Sequence, residues 1–137
     1  MEVTKPHPFL KRDPGSESVL TGAPADFDLL AALRDATSIR VAMAFGHMAG
    51  WRRIEAAVLH SAAREIFILL GHAFFQTEPK LLALLLARER DSASPHIHVK
   101  LASSASTFHP KVWIIENGQV THAHVIVGSA NLSNGGL

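Results

Sequence analysis

The chain has 137 residues, with thirteen Lys plus Arg against twelve Asp plus Glu, a formal net charge of +1 and 47% hydrophobic residues. That length fits one domain burying roughly two thirds of its unfolded surface, and it excludes two full catalytic domains. There is no cysteine, which excludes a disulfide framework, a thiolate nucleophile and a sulfur-ligated zinc, and points toward a cytoplasmic protein. The longest apolar run, Leu81 to Ala87, is far below the roughly 18 residues of a spanning helix, and Met1 to Leu20 lacks a signal-peptide apolar block. No membrane insertion is expected. With so little net charge, nucleic-acid binding would rest on a local patch or on a partner segment.

Residues 1–25 carry Pro6, Pro8, Pro14, Gly15, Gly22 and Pro24, too many breakers for more than an irregular arm. Residues 26–137 form the domain. Asp26 is the expected N-cap of a helix running to Ala36, with Phe27, Leu30 and Leu33 at helical spacing. Ser38 to Phe45 alternates Ile39, Val41, Met43 and Phe45 and closes at Gly46, which predicts a strand. Trp51, Ile54, Val58 and Ala62 mark one face of a second helix, with Trp51 in the core. Glu65 to Leu70 carries the short, continuous apolar run Ile-Phe-Ile-Leu-Leu before Gly71, as in a parallel strand buried on both faces. Thr77 and Pro79 open a third helix that turns Leu81, Leu82, Leu85 and Leu86 to the core and ends in the charged cluster Arg88 to Asp91. Strands follow at His96 to Leu101, Phe108 to Ile115 and Val120 to Val127. The last two are joined through Glu116, Asn117, Gly118 and Gln119, where Asn-Gly is a hairpin signal. The order predicts an α/β fold, an α/β/α layered domain whose mixed, largely parallel sheet ends in a β-hairpin.

The chemistry concentrates in Phe108-His109-Pro110-Lys111 and, after the hairpin, in Gly128-Ser129-Ala130-Asn131. Residues two apart on a strand share a face at roughly 7 Å, so the His109 imidazole and the Lys111 ammonium converge. Trp113 falls on that face too. Ser129 and Asn131 leave the neighbouring strand on a common side, and Gly128 permits close backbone approach. An imidazole, an ammonium, a carboxamide and a hydroxyl without a carboxylate pair suit an anion, most simply phosphate, and call for no metal or other cofactor. The imidazole can attack phosphorus while Lys111 and Asn131 hold charge on the equatorial oxygens. A second group must protonate the leaving oxygen, and with one copy of the motif a matching histidine is expected from a second subunit across a two-fold axis. His47 and His72 each follow a predicted strand, where open parallel sheets bind ligands, and are candidate substrate contacts. His96 with His98, and His122 with His124, offer paired imidazoles, but an exposed strand face explains them better than zinc. Arg52 and Arg53 read as a solvated helix face.

The pattern His109-x-Lys111, an acidic residue at Glu116, then Gly128-Ser129-x-Asn131 resembles the HKD motif of the phospholipase D superfamily. The fuller wording, through Gly135-Gly136-Leu137, is most similar to the branch found in restriction-type endonucleases and beside superfamily 2 helicases. The resemblance extends loosely back through Gly71-His72-Ala73-Phe74-Phe75. It implies a phospholipase D-like fold and a metal-independent phosphodiesterase, most simply a DNA endonuclease acting as a homodimer. His109 would form a phosphohistidine, and the second subunit's copy of the same histidine would serve as acid, then base. Lys111 and Asn131 would bind the phosphate, and Ser129 would add a hydrogen bond. Glu116 stands where the family has aspartate, which implies a supporting role. Single-motif members also carry a glutamate beyond the Gly-Gly-Leu segment, so a domain incomplete at its C-terminus is implied. The alternatives are a phospholipid phosphodiesterase and a catalytically silent phosphate- or nucleic-acid-binding or dimerisation module.

Overall fold

The computed structural model describes residues 28–72, 76–91, 94–102, 107–118, 122–128 and 131–132. The N-terminal arm, Asp26, Phe27, the Ala73-Phe74-Phe75 stretch, Ser129 and the Gly-Gly-Leu tail lie outside the described residues. The elements run α1 (Leu29–Arg34), β1 (Ser38–Met43), α2 (Met48–Leu59), β2 (Glu65–Leu70), α3 (Pro79–Arg90), β3 (His96–Leu101), β4 (Lys111–Asn117) and β5 (His122–Val127).

The five strands form one sheet in the order β3-β2-β1-β4-β5. β1 pairs with β2, and β2 with β3, in parallel. β1 pairs with β4, and β4 with β5, antiparallel. The sheet is therefore evenly mixed and not largely parallel, because β4 returns beside β1 instead of extending the parallel series. The expected α/β/α layering also needs correction. From β1 to β2 to β3 the chain steps twice in the same direction, and right-handed crossovers made in one direction lie on one face. Among the described residues, α1, α2 and α3 meet a single face of the sheet. Ile39, Val41, Met43, Ile66, Ile68, Leu70, Ile97, Val99, Trp113 and Ile115 join Leu33, Trp51, Ile54, Val58, Leu81 and Leu85 in one buried cluster.

The opposite face carries Arg40, Phe67 and His98 in one row and Ala42, Leu69 and Lys100 in the next. A shallow apolar groove crosses it, and Phe67 is 40% exposed. Among the described residues β2 is thus covered on one side only, although its apolar run reads as a strand buried on both. In the same way Leu86 is 40% exposed, while Leu81 and Leu85 are fully buried. Trp113 packs in the core.

Local chemistry sets the boundaries. α1 is capped by Asp28 and not Asp26, its Oδ1 accepting from the Ala31 amide at 3.1 Å. α2 ends at Leu59, with His60 as its C-cap, so Ala62 falls outside the helix and is exposed. β4 starts at Lys111 and not at Phe108. Its last contact with the β1 side is Ala44 N–H to the Pro110 carbonyl at 2.7 Å. Proline has no N–H with which to continue the ladder, and His109 and Phe108 leave the strand there. β5 is described from His122 to Val127, and Val120, the expected start, lies outside the described residues. Among the described residues, no helix is long and apolar enough to cross a membrane.

Candidate active site

The candidate site residues His109, Lys111 and Asn131 lie where β1 and β2 end and β4 begins. Lys111, the first residue of β4, pairs with Met43, the last of β1. On its other side Gly128 donates its N–H to the Lys111 carbonyl at 3.1 Å. Lys111 is held from both sides and is only 9% exposed. Its Nζ lies 2.8 Å from His109 Nδ1 and 3.3 Å from His109 Nε2, while the histidine itself is exposed. The convergence expected from strand spacing is present, although only Lys111 is on the strand. An ammonium has only protons to offer, so the ring nitrogen facing it must present a lone pair.

Among the described residues no carboxylate comes within ion-pair distance of Lys111; ion pairs lie elsewhere, among them Arg40–Glu116, Arg52–Glu55, Arg88–Glu55 and His98–Glu65. A buried cation without a counter-charge is costly, and an anion supplied from solution relieves that cost.

Asn131 arrives from the far edge of the sheet. After β5 the chain crosses back, and Leu132 forms a parallel bridge to Gly46 while its carbonyl accepts from the His47 N–H at 2.8 Å. Asn131 thereby sits beside the end of β1, at the same end of the sheet as Lys111. Its Oδ1 is buried and has no hydrogen-bond partner among the described residues. Ser129, expected to join this group, lies outside the described residues.

Glu116 does not join it. Five positions along β4 from Lys111, it pairs with Arg40 at 3.0 Å, and at about 3.3 Å per residue that is the other end of the strand. His47 is close to the cluster through its backbone. One of its ring nitrogens is engaged: Nε2–H donates to the Gln76 carbonyl at 2.9 Å. His72 is exposed just past the end of β2. His96 and His98 meet edge to face at 5.0 Å, and His98 stacks on Phe67 at 4.6 Å. Among the described residues, no group of three or more His, Asp or Glu side chains is placed to hold a metal ion.

Two residues support this site: Thr77, which the sequence marks only as a helix start, and Glu78, which it does not single out. Thr77, 6% exposed, accepts from the Gly46 N–H at 3.2 Å and donates to the Gly71 carbonyl at 2.5 Å. Glu78 donates its N–H to the Gly46 carbonyl at 2.9 Å, and its Oε2 accepts from the Met48 N–H at 2.9 Å. Its carboxylate thus caps α2, whose own N-cap residue His47 makes no side-chain cap bond. Gly71 is required by space, since a Cβ there would collide with the Ala44 carbonyl oxygen and stand 2.9 Å from Phe108 Cδ1. Such a signal is long-range, and neighbouring sequence does not carry it.

No protein-family model matches this chain, and no curated protein matches it.

Proposed function

We propose that this chain is a phosphodiesterase of the phospholipase D type that cleaves DNA through a phosphohistidine, working as a homodimer without a metal ion. The observation that carries the reading is Lys111, a nearly buried residue whose ammonium lies against the His109 ring, with no carboxylate beside it among the described residues. An anionic phosphate oxygen is a stronger acceptor than an imidazole nitrogen. On substrate binding it takes over the ammonium and releases the ring lone pair. The His109 nitrogen then bonds to phosphorus, the bond from phosphorus to the leaving oxygen breaks, and an acid protonates that oxygen. Water hydrolyses the nitrogen–phosphorus bond in a second step and leaves a phosphate monoester. Lys111 and Asn131 neutralise the charge on the non-bridging oxygens. The acid is assigned to the partner subunit's His109, since the sequence has a single copy of the motif. The motif's wording, similar to restriction-type endonucleases, favours DNA as the substrate.

The test is hydrolysis of bis(p-nitrophenyl) phosphate and of plasmid DNA in excess EDTA, with His109→Ala alongside and the mass measured in solution. Turnover by a dimer that is lost in the variant supports the reading. Turnover abolished by EDTA, or retained by an obligate monomer, overturns it.

A further inference from the structure

We propose that Thr77 is a positioning residue whose hydroxyl sets the spacing between the two arms of the site, one carrying His109 and the other carrying Asn131; its role in turnover rests on the phosphodiesterase reading above. Neither arm is regular secondary structure. Phe108 and His109 precede β4, and Asn131 and Leu132 follow β5. Each rests on a glycine at the end of a parallel strand. Phe108 lies over Gly71, where a Cβ would stand 2.9 Å from its ring, and Leu132 bridges to Gly46. The Thr77 hydroxyl joins those two glycines directly, accepting from Gly46 N–H at 3.2 Å and donating to the Gly71 carbonyl at 2.5 Å. A hydroxyl has one proton and two lone pairs, so one side chain can meet both demands at once.

The link continues past Gly46. Glu78 N–H donates to the Gly46 carbonyl at 2.9 Å, and the next residue, His47, donates its N–H to Leu132 at 2.8 Å. From Thr77 to Asn131 the path is therefore Thr77 to Gly46, then His47 to Leu132. From Thr77 to His109 it is Gly71 to Phe108. With 6% exposure, Thr77 has little access to water as a substitute partner. Removal of its hydroxyl leaves the Gly46 N–H buried without this acceptor, a penalty that displacement of the strand end relieves.

The experiment compares wild type, Thr77→Val, which keeps the shape but loses the hydroxyl, and Thr77→Ser, which keeps the hydroxyl. The readouts are amide hydrogen exchange at His47, inorganic phosphate affinity, and kcat and KM on bis(p-nitrophenyl) phosphate. In Thr77→Val, exchange at His47 rises about tenfold or more while Val41 in the β1 ladder stays protected. Phosphate affinity and kcat fall by about tenfold or more, since small misplacements of binding groups are costly in the transition state. Thr77→Ser recovers all three. Unchanged exchange at His47 in Thr77→Val overturns the link. Faster exchange with unchanged phosphate affinity and kcat overturns the positioning role. A wild-type protein that neither binds phosphate nor turns over substrate counts against the phosphodiesterase reading and against any role of Thr77 in turnover, while exchange at His47 and its recovery in Thr77→Ser still decide the link itself. If Thr77→Val fails to fold, Thr77→Ala and Thr77→Ser supply the same contrast.

Discussion

Arg40 reaches Glu116 at 3.0 Å across the β1–β4 pair, at the end of β4 opposite Lys111. The acidic residue of the motif is thereby committed to a strand-end ion pair. Both partners are about half exposed, at 50% and 44%, and such pairs contribute on the order of 0–1 kcal/mol. Glu116→Gln is expected to leave turnover within about twofold of wild type and to shift thermal stability only slightly. A calorimetric melt and a steady-state assay check this, and a large loss of turnover at unchanged stability would show that Glu116 takes part in the chemistry.

Lys111 is expected to behave in the opposite way. The residue is nearly buried, with no carboxylate beside its ammonium among the described residues, so Lys111→Met removes a charge that lacks a counter-charge there and keeps the apolar stem. Stability should hold or rise, as when buried ionic groups are replaced by apolar residues of similar size. Turnover should fall by roughly two to three orders of magnitude with the loss of one charge-stabilising donor. Parallel denaturant melts and kinetics on the same preparation read both signs. A destabilised variant that retains activity would contradict the assignment.

Gly71→Ala should be severe for so small a change. The added methyl meets the Ala44 carbonyl oxygen, part of the backbone, as well as the ring of Phe108 at 2.9 Å. Overpacking of this kind costs about 1–3 kcal/mol. Because Phe108 precedes His109, turnover should drop more than the fraction unfolded accounts for. Activity per folded molecule, corrected from a denaturant melt, is the measurement.

The two faces of the sheet should differ sharply. Ile115 is fully buried beneath the helices, and Ile115→Ala should cost about 2–5 kcal/mol. Phe67, 40% exposed on the open face, has less to lose, and Phe67→Ala should cost under about 1.5 kcal/mol. Urea unfolding of both variants tests this. Equal costs would show that the open face is covered in solution.

Much of the fold was legible because its signals are local. Alternating Ile39, Val41 and Met43 marked β1, the apolar run before Gly71 marked β2, and Pro79 placed the first turn of α3. The same apolar run suggests a parallel strand, and β2 does pair in parallel with β1 and β3. The sheet's open face was not legible, since the apolar run of β2 is the same whether one layer or two cover it. Likewise Leu86 has the residue type of a core position but the exposure of a surface one. At the site, Lys111 and His109 were found by spacing, even though Pro110 moves His109 off the strand. Thr77 and Glu78 were not, because their partners are Gly46, Met48 and Gly71, and only the folded chain brings these together.

The most direct test of the covalent scheme is to quench the protein with acid during turnover of a labelled phosphodiester and map the adduct by mass spectrometry. The account predicts a phosphoryl adduct on the peptide carrying His109, absent from His109→Ala, which should also lack turnover. Turnover without any histidine adduct, persisting in His109→Ala, would contradict it.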